Sequence, residues 1–131
     1  MDVVAIILSA LVGSAVGTVW YRSFRQQWRL ASGVPCDRRG APRNARDTLP
    51  YFLAFLTMLL TAIVLHELVA LTPIHGPWQG ALTGALLGLF LVTPWMAMSY
   101  THAMRAWRLI LIDGGYAVLG PTVIGFVLGL F

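Results

Sequence analysis

The chain has no lysine, a single cysteine and only five acidic residues. Charged residues of all kinds make up 11% of its 131 positions, against about 25% in soluble proteins. A soluble domain this small exposes a large share of its surface and needs more charge than this to cover it. One cysteine cannot close an intramolecular disulfide, which excludes a disulfide-stapled secreted module. A hydrophobic content of 58% excludes a disordered chain, and the same composition argues against a nucleic-acid-binding domain, so no nucleic-acid partner is expected. No nucleophile–base–orienter set and no phosphate loop is visible, so neither catalysis nor a cofactor is expected.

What remains is apolar sequence in long runs. Val3–Trp20 carries no charge over 18 residues, about 27 Å of helix at roughly 1.5 Å per residue, close to a hydrocarbon core of about 30 Å. Tyr51–Thr72, Trp78–Ser99 and Leu109–Leu130 supply 22 residues each, interrupted by charge only at Glu67 and Asp113. The fold expected is all-α. It is a four-transmembrane-helix bundle in a single integral membrane domain, 1–131, with spans near 3–21, 51–72, 78–99 and 109–130 and a basic loop at 22–48. The first run is preceded by Met1-Asp2 and followed by Arg22, the reverse of a cleaved signal peptide, so it reads as a retained span.

All nine basic residues are arginines. They fall in the loop after the first span and the short loop after the third, and none lies in the Pro73–Pro77 turn or the tails. The positive-inside rule then places both arginine loops in the cytoplasm and both termini outside, in a bacterial inner membrane. Trp20, Trp95 and Trp107 fall near the inner interface and Trp78 near the outer one.

The segment Tyr21–Ala31 is amphipathic. At about 100° per residue, Arg22, Arg25 and Arg29 lie within about 60° of one another, opposite Phe24, Trp28 and Ala31. The pattern predicts a helix on the inner leaflet, aromatics down and arginines toward anionic headgroup phosphates. Gly33-Val34-Pro35 ends it, Cys36–Asn44 reads as a basic turn, and Asp47 or Thr48 caps the next helix ahead of Pro50. Cys36, on the reducing side, reads as a free structural thiol.

Membrane helices associate through small residues. Ser9, Gly13 and Gly17 repeat every fourth position in the first span, Gly80, Gly84 and Gly88 in the third, and Gly125 and Gly129 in the fourth, in the GxxxG manner. The fourth helix carries two such faces, Asp113–Tyr116–Ala117–Gly120–Ile124 and Gly114–Val118–Pro121–Gly125–Gly129, so neighbours are expected on both sides. Periodicity alone does not say whether those neighbours belong to the same chain or to a second subunit.

Ionisable groups inside a membrane are costly and mark candidate sites. Asp113 lies about one turn inside the cytoplasmic end of the last helix. Arg108, five residues before it, is about 140° away round the helix, so its partner should come from Arg22, Tyr21 or Tyr100. It serves either as an interface anchor or in moving a proton or cation. His66 and Glu67 lie near the outer end of the second span, with Glu67 on the face of Leu60, Ile63, Val64 and Leu71. Glu67 is expected either to be protonated or to turn inward to Ser9, Gln79 or Thr83. His66, Glu67 and His75 do not form a known ligand pattern, so no metal site is expected. His102 falls in the inner loop, solvated.

Gly17-Thr-Val-Trp20-Tyr21 with Phe24 and Trp28, Arg108-Leu-Ile-Leu-Ile-Asp113-Gly-Gly-Tyr116, and Gly125-Phe-Val-Leu-Gly129-Leu-Phe131 together resemble the bacterial family catalogued as domain of unknown function 1761. The resemblance runs over nearly the whole chain. It implies a small polytopic bacterial membrane protein, no assigned activity, and interest in Asp113 and Tyr116; His66-Glu67 lies outside its pattern. Two functional expectations follow from the residues. One is a non-enzymatic association protein, either an accessory subunit of a larger membrane complex or a homo-oligomer. The other is a small homo-oligomeric transporter or channel for a proton or small cation using Glu67 and Asp113. A lipid-directed role for the Arg22–Arg46 loop is a third.

Overall fold

The computed structural model describes residues 2–71 and 76–131. Thr72, Pro73 and His75, on which parts of the second span, the outer turn and the discarded metal set were placed, lie outside the described residues. The fold is all-α. Helix α1 spans Val3–Ser23, α2 Arg25–Ser32 and α3 Leu49–Ala70. Helix α4 (Pro77–Leu87) runs through a π-helical turn (Gly88–Val92) into α5 (Thr93–His102), and α6 spans Trp107–Leu128. Four stretches are long and apolar enough to cross a membrane: α1, α3, Pro77–His102 and α6.

Local chemistry sets the ends. The Asp2 carboxylate accepts the backbone N–H of Val4 (3.1 Å) and Ala5 (3.2 Å), capping α1. Thr48 stands at the start of α3 without a side-chain capping bond, ahead of Pro50 in the first turn. Helix α1 continues past the expected end to Ser23, and a single residue, Phe24, separates it from α2. Gly33 closes α2 at φ 64°, a left-handed backbone that glycine adopts without a Cβ clash.

Helix α6 is the hub and touches every other helix. Its Tyr116–Ile124 side meets α1 and α3. A Cβ built on Gly13 would lie 2.8 Å from the Ile124 side chain, and one on Gly17 would strike the Tyr116 hydroxyl. Its other side meets α4 backbone to backbone. Gly80 faces the Gly125 carbonyl, Gly84 the Pro121 carbonyl and Gly88 the Ala117 carbonyl, each too close for any Cβ, while Gly129 faces the Gly76 carbonyl. The glycine repeats therefore face helices of the same chain. Toward the end away from the arginine loops, the α1–α3–α6 interior is filled by Ala5, Ile6, Ala10, Met58, Ala62, Leu65, Ile124 and Leu128.

The π turn lies just ahead of Pro94, which has no N–H for the Phe90 carbonyl of a regular helix. Thr93 donates to the Gly88 carbonyl through both its backbone N–H and its Oγ1, the latter at 2.8 Å. The turn also resets the register. Twelve residues separate Gly88 from Tyr100, about 120° round a regular helix. One extra residue in the turn returns the offset to about 20°, so Tyr100 faces α6 with the glycines.

Candidate functional site

The half of the bundle at the arginine-loop end is organised by one carboxylate. Asp113 lies six residues after the start of α6, about 9 Å along the helix. Its Oδ1 accepts the Tyr21 hydroxyl (2.9 Å) and the Trp28 indole N–H (3.1 Å), and its Oδ2 accepts the Tyr100 hydroxyl (2.7 Å). Three donors from α1, α2 and α5 thus converge on one side chain of α6. All three are neutral side chains, so the node carries no cationic partner. A carboxylate offers roughly four acceptor sites, so the node is close to saturated.

No arginine pairs with Asp113; among the described residues the one ion pair is between His66 and Glu67. Of the three partners the sequence offered, Tyr21 and Tyr100 reach the carboxylate and Arg22 stays exposed. Arg22 is the next residue after Tyr21, about 100° further round α1, which turns it away. Trp28 was missed as a partner because α2 reads as a helix lying flat on the leaflet. Its aromatic side instead meets the inner end of the bundle itself.

One turn further in, the Tyr116 hydroxyl donates to the Gly13 carbonyl (2.9 Å) and lies 3.2 Å from Met58 Sδ. Gly17 makes room for this phenol. The Tyr116 ring meets Tyr21 edge-on at 5.4 Å, and Tyr21 meets Trp28 edge-on at 6.3 Å. Trp20 Nε1 donates to the Ile112 carbonyl (3.0 Å), and its ring packs on Phe24 (4.8 Å). On the other flank Thr93 Oγ1 approaches the Gly114 carbonyl at 3.5 Å. The glycines and aromatics of the first span therefore converge with the Asp113–Tyr116 stretch of the last.

The basic loop has internal order. Arg105 Nη1 donates to the Ser32 carbonyl (2.8 Å), tying α2 to the α5–α6 turn. Arg29 Nη1 donates to the Gly40 carbonyl (2.6 Å) and so helps close its own loop. Asp37 accepts the N–H groups of Arg39 (2.8 Å) and Ala41 (3.0 Å), and Cys36 bridges to Pro42. Cys36 is a half-buried free thiol. Arg22 and Arg25 are exposed, while Phe24 and Trp28 are half-buried.

At the end opposite the arginine loops, His66 Nδ1 lies 3.4 Å from Glu67 Oε1, and the Asp2 backbone N–H donates to His66 Nε2 at 3.4 Å. The Glu67 side chain is 61% exposed. It does not turn inward to Ser9, Gln79 or Thr83. Nine residues separate it from the buried Met58, about 180° round the helix. Ser9 donates instead to the Ala5 carbonyl and Thr83 to the Gln79 carbonyl. Exposed His102 bonds to the Met98 carbonyl through Nδ1 at 2.8 Å. Among the described residues no three His, Cys, Asp or Glu side chains gather as metal ligands.

A family model described as "Protein of unknown function (DUF1761)" matches residues 4–129. No curated protein and no solved structure matches the chain.

Proposed function

The chain belongs to the DUF1761 family, and from that premise we propose that this membrane protein works in the bacterial inner membrane by association, as an accessory subunit of a larger complex or as a homo-oligomer. The observation that carries this reading is the outward face of α3. Leu53, Thr57, Leu60, Val64, Glu67 and Leu71 recur at alternating spacings of four and three, and all are exposed. A seven-residue repeat of this kind is the seam of paired helices. Glu67 stands within it on the lipid side, where an ionisable group is costly unless a partner or the interface receives it. The apolar stretch of α3 is 11% buried, against 17% for Pro77–His102 and 33% for α1 and for α6.

The small-residue grooves are occupied within the chain, so association through α3 does not compete with the fold. The transport reading has less support. Glu67 faces out from the bundle and Asp113 is filled by donors inside it, and the apolar side chains of Met58, Ala62, Ala10 and Ile124 lie between them. The test is purification from native membranes in mild detergent with mass spectrometry of what accompanies the chain. A second copy or a defined partner is expected. Leu60→Trp with Glu67→Leu should release it while leaving the bundle folded. A lone monomer from the unaltered protein overturns the reading.

A further inference from the structure

The α3 seam carries one charged residue, and no charge of opposite sign in the chain matches it. Glu67 sits inside the apolar stripe rather than at its rim. Val64 before it and Leu71 after it are both exposed, and Leu68, Val69 and Ala70 continue the helix without another polar side chain. The carboxylate is thus set among side chains that a neighbouring helix would cover.

Its contact within the chain does not neutralise it. His66 Nδ1 lies 3.4 Å from Glu67 Oε1, and His66 Nε2 accepts the Asp2 backbone N–H at 3.4 Å. A nitrogen that accepts carries no proton, so a ring held this way is the neutral tautomer with its proton on Nδ1. It gives Glu67 one hydrogen bond and leaves the negative charge in place. A carboxylate offers roughly four acceptor sites, and this side chain is 61% exposed.

No arginine or lysine stands nearby. The chain has no lysine, and its nine arginines belong to the other end. Glu67 is 18 residues beyond Leu49, where α3 begins, about 27 Å along the helix.

A second copy is a poor match as well. Two copies inserted alike are related by an axis along the membrane normal, and a seven-residue seam then sets each residue opposite itself. Glu67 would meet Glu67 at one depth, while each His66 is already bonded through both nitrogens in its own chain. Like charges so placed disfavour a partner, and a polar residue within an apolar seam selects among partners. The complement of this seam is apolar along most of its length and cationic at one point.

We infer that the α3 seam is built for a helix of a different membrane protein, one that lays apolar side chains against Leu53, Leu60 and Val64 and brings a lysine or arginine to the depth of Glu67. This choice of partner rests on association through α3 and narrows it to a foreign chain of stated charge. The long stem of the basic side chain would cover Leu71 while its head reaches the carboxylate.

Photo-crosslinking in native membranes tests the partner. A benzophenone amino acid replaces Leu60 in the full chain, and mass spectrometry identifies the crosslinked peptide. The same probe at Leu82, exposed on α4, measures the background of a face outside the seam. The Leu60 probe should capture a transmembrane helix of another chain that the Leu82 probe does not, and that helix should carry a lysine or arginine near one end. Glu67→Gln should lower the yield about five-fold, and Glu67→Asp should retain most of it. Exchanging the charges, with Glu67→Lys here and glutamate for the basic residue of the captured helix, should restore it. Thermal unfolding of the Glu67 variants should match the unaltered protein, since the side chain is exposed. A crosslink to α3 of a second copy overturns the foreign partner and leaves association through α3 standing. A captured helix without a basic residue, or a yield indifferent to Glu67→Gln, does the same. No crosslink above the Leu82 level overturns both.

Discussion

Asp113 combines a functional-site signature with a structural role. A carboxylate in a membrane helix usually signals a counter-ion or a transport path, yet here three neutral donors from three helices fill it. Its replacement by leucine leaves Tyr21, Trp28 and Tyr100 without an acceptor at once. Hydrogen bonds to a charged group contribute about 1.5–3 kcal/mol each, and bonds within one network do not add. Asp113→Leu should therefore destabilise the bundle by on the order of 3 kcal/mol, and Tyr100→Phe or Trp28→Phe by about 1.5 kcal/mol. Reversible unfolding in lipid–detergent micelles measures both. Trypsin separates the donors: Trp28→Phe and Asp113→Leu should speed cleavage at Arg25, because α2 loses a tether, whereas Tyr100→Phe should not. Depth along the helices was enough to nominate Tyr21 and Tyr100 from sequence. Trp28 was not legible, because its reach to Asp113 depends on α2 folding back onto α6, and no periodicity within eight residues of helix encodes a tertiary dock.

Among the helices, the glycine repeats and the two faces of α6 were readable because their period is that of the α-helix. The structure adds that the repeats are not equivalent. Gly13 faces the buried, β-branched Ile124 side chain at Cγ1, which can give only by repacking, whereas Gly84 and Gly125 face main-chain carbonyls that cannot move without moving a helix. Gly84→Ala and Gly125→Ala should each cost about 2–3 kcal/mol, near the upper end of overpacking effects, and Gly13→Ala about 1–2 kcal/mol. Comparison of the three unfolding midpoints checks this, and equal losses would show that the α4–α6 approach is looser than the geometry indicates. The π turn was not legible. Its trigger, Thr93-Pro94 in mid-span, is visible, but a proline can kink, break or bulge a membrane helix. Only the need to bring Tyr100 round to Asp113 selects the bulge, and that need is set by another helix.

For the molecule as a whole, the bundle separates its chemistry by end. Arg105 bonded to Ser32 and Trp28 bonded to Asp113 place α2, the basic loop and the α5–α6 turn together. Asp2, His66 and Gly129 gather at the opposite end, where Gly129 lies against Gly76. All nine arginines thus belong to one end, an asymmetry the sequence already carried because charge is counted and not folded. The positive-inside rule assigns that end to the cytoplasm, and Cys36 provides the probe, being the single thiol of the chain and only half-buried in the basic loop. A membrane-impermeant maleimide should leave Cys36 unmodified in intact right-side-out spheroplasts and label it in inverted vesicles. In a Cys36→Ser background, Phe131→Cys, exposed at the other end, should show the reverse. Matching accessibility of the two positions from one side would refute a four-span path with both termini outside. The reversed pattern would keep the bundle and invert its orientation, which would put the arginine loops outside against the positive-inside rule.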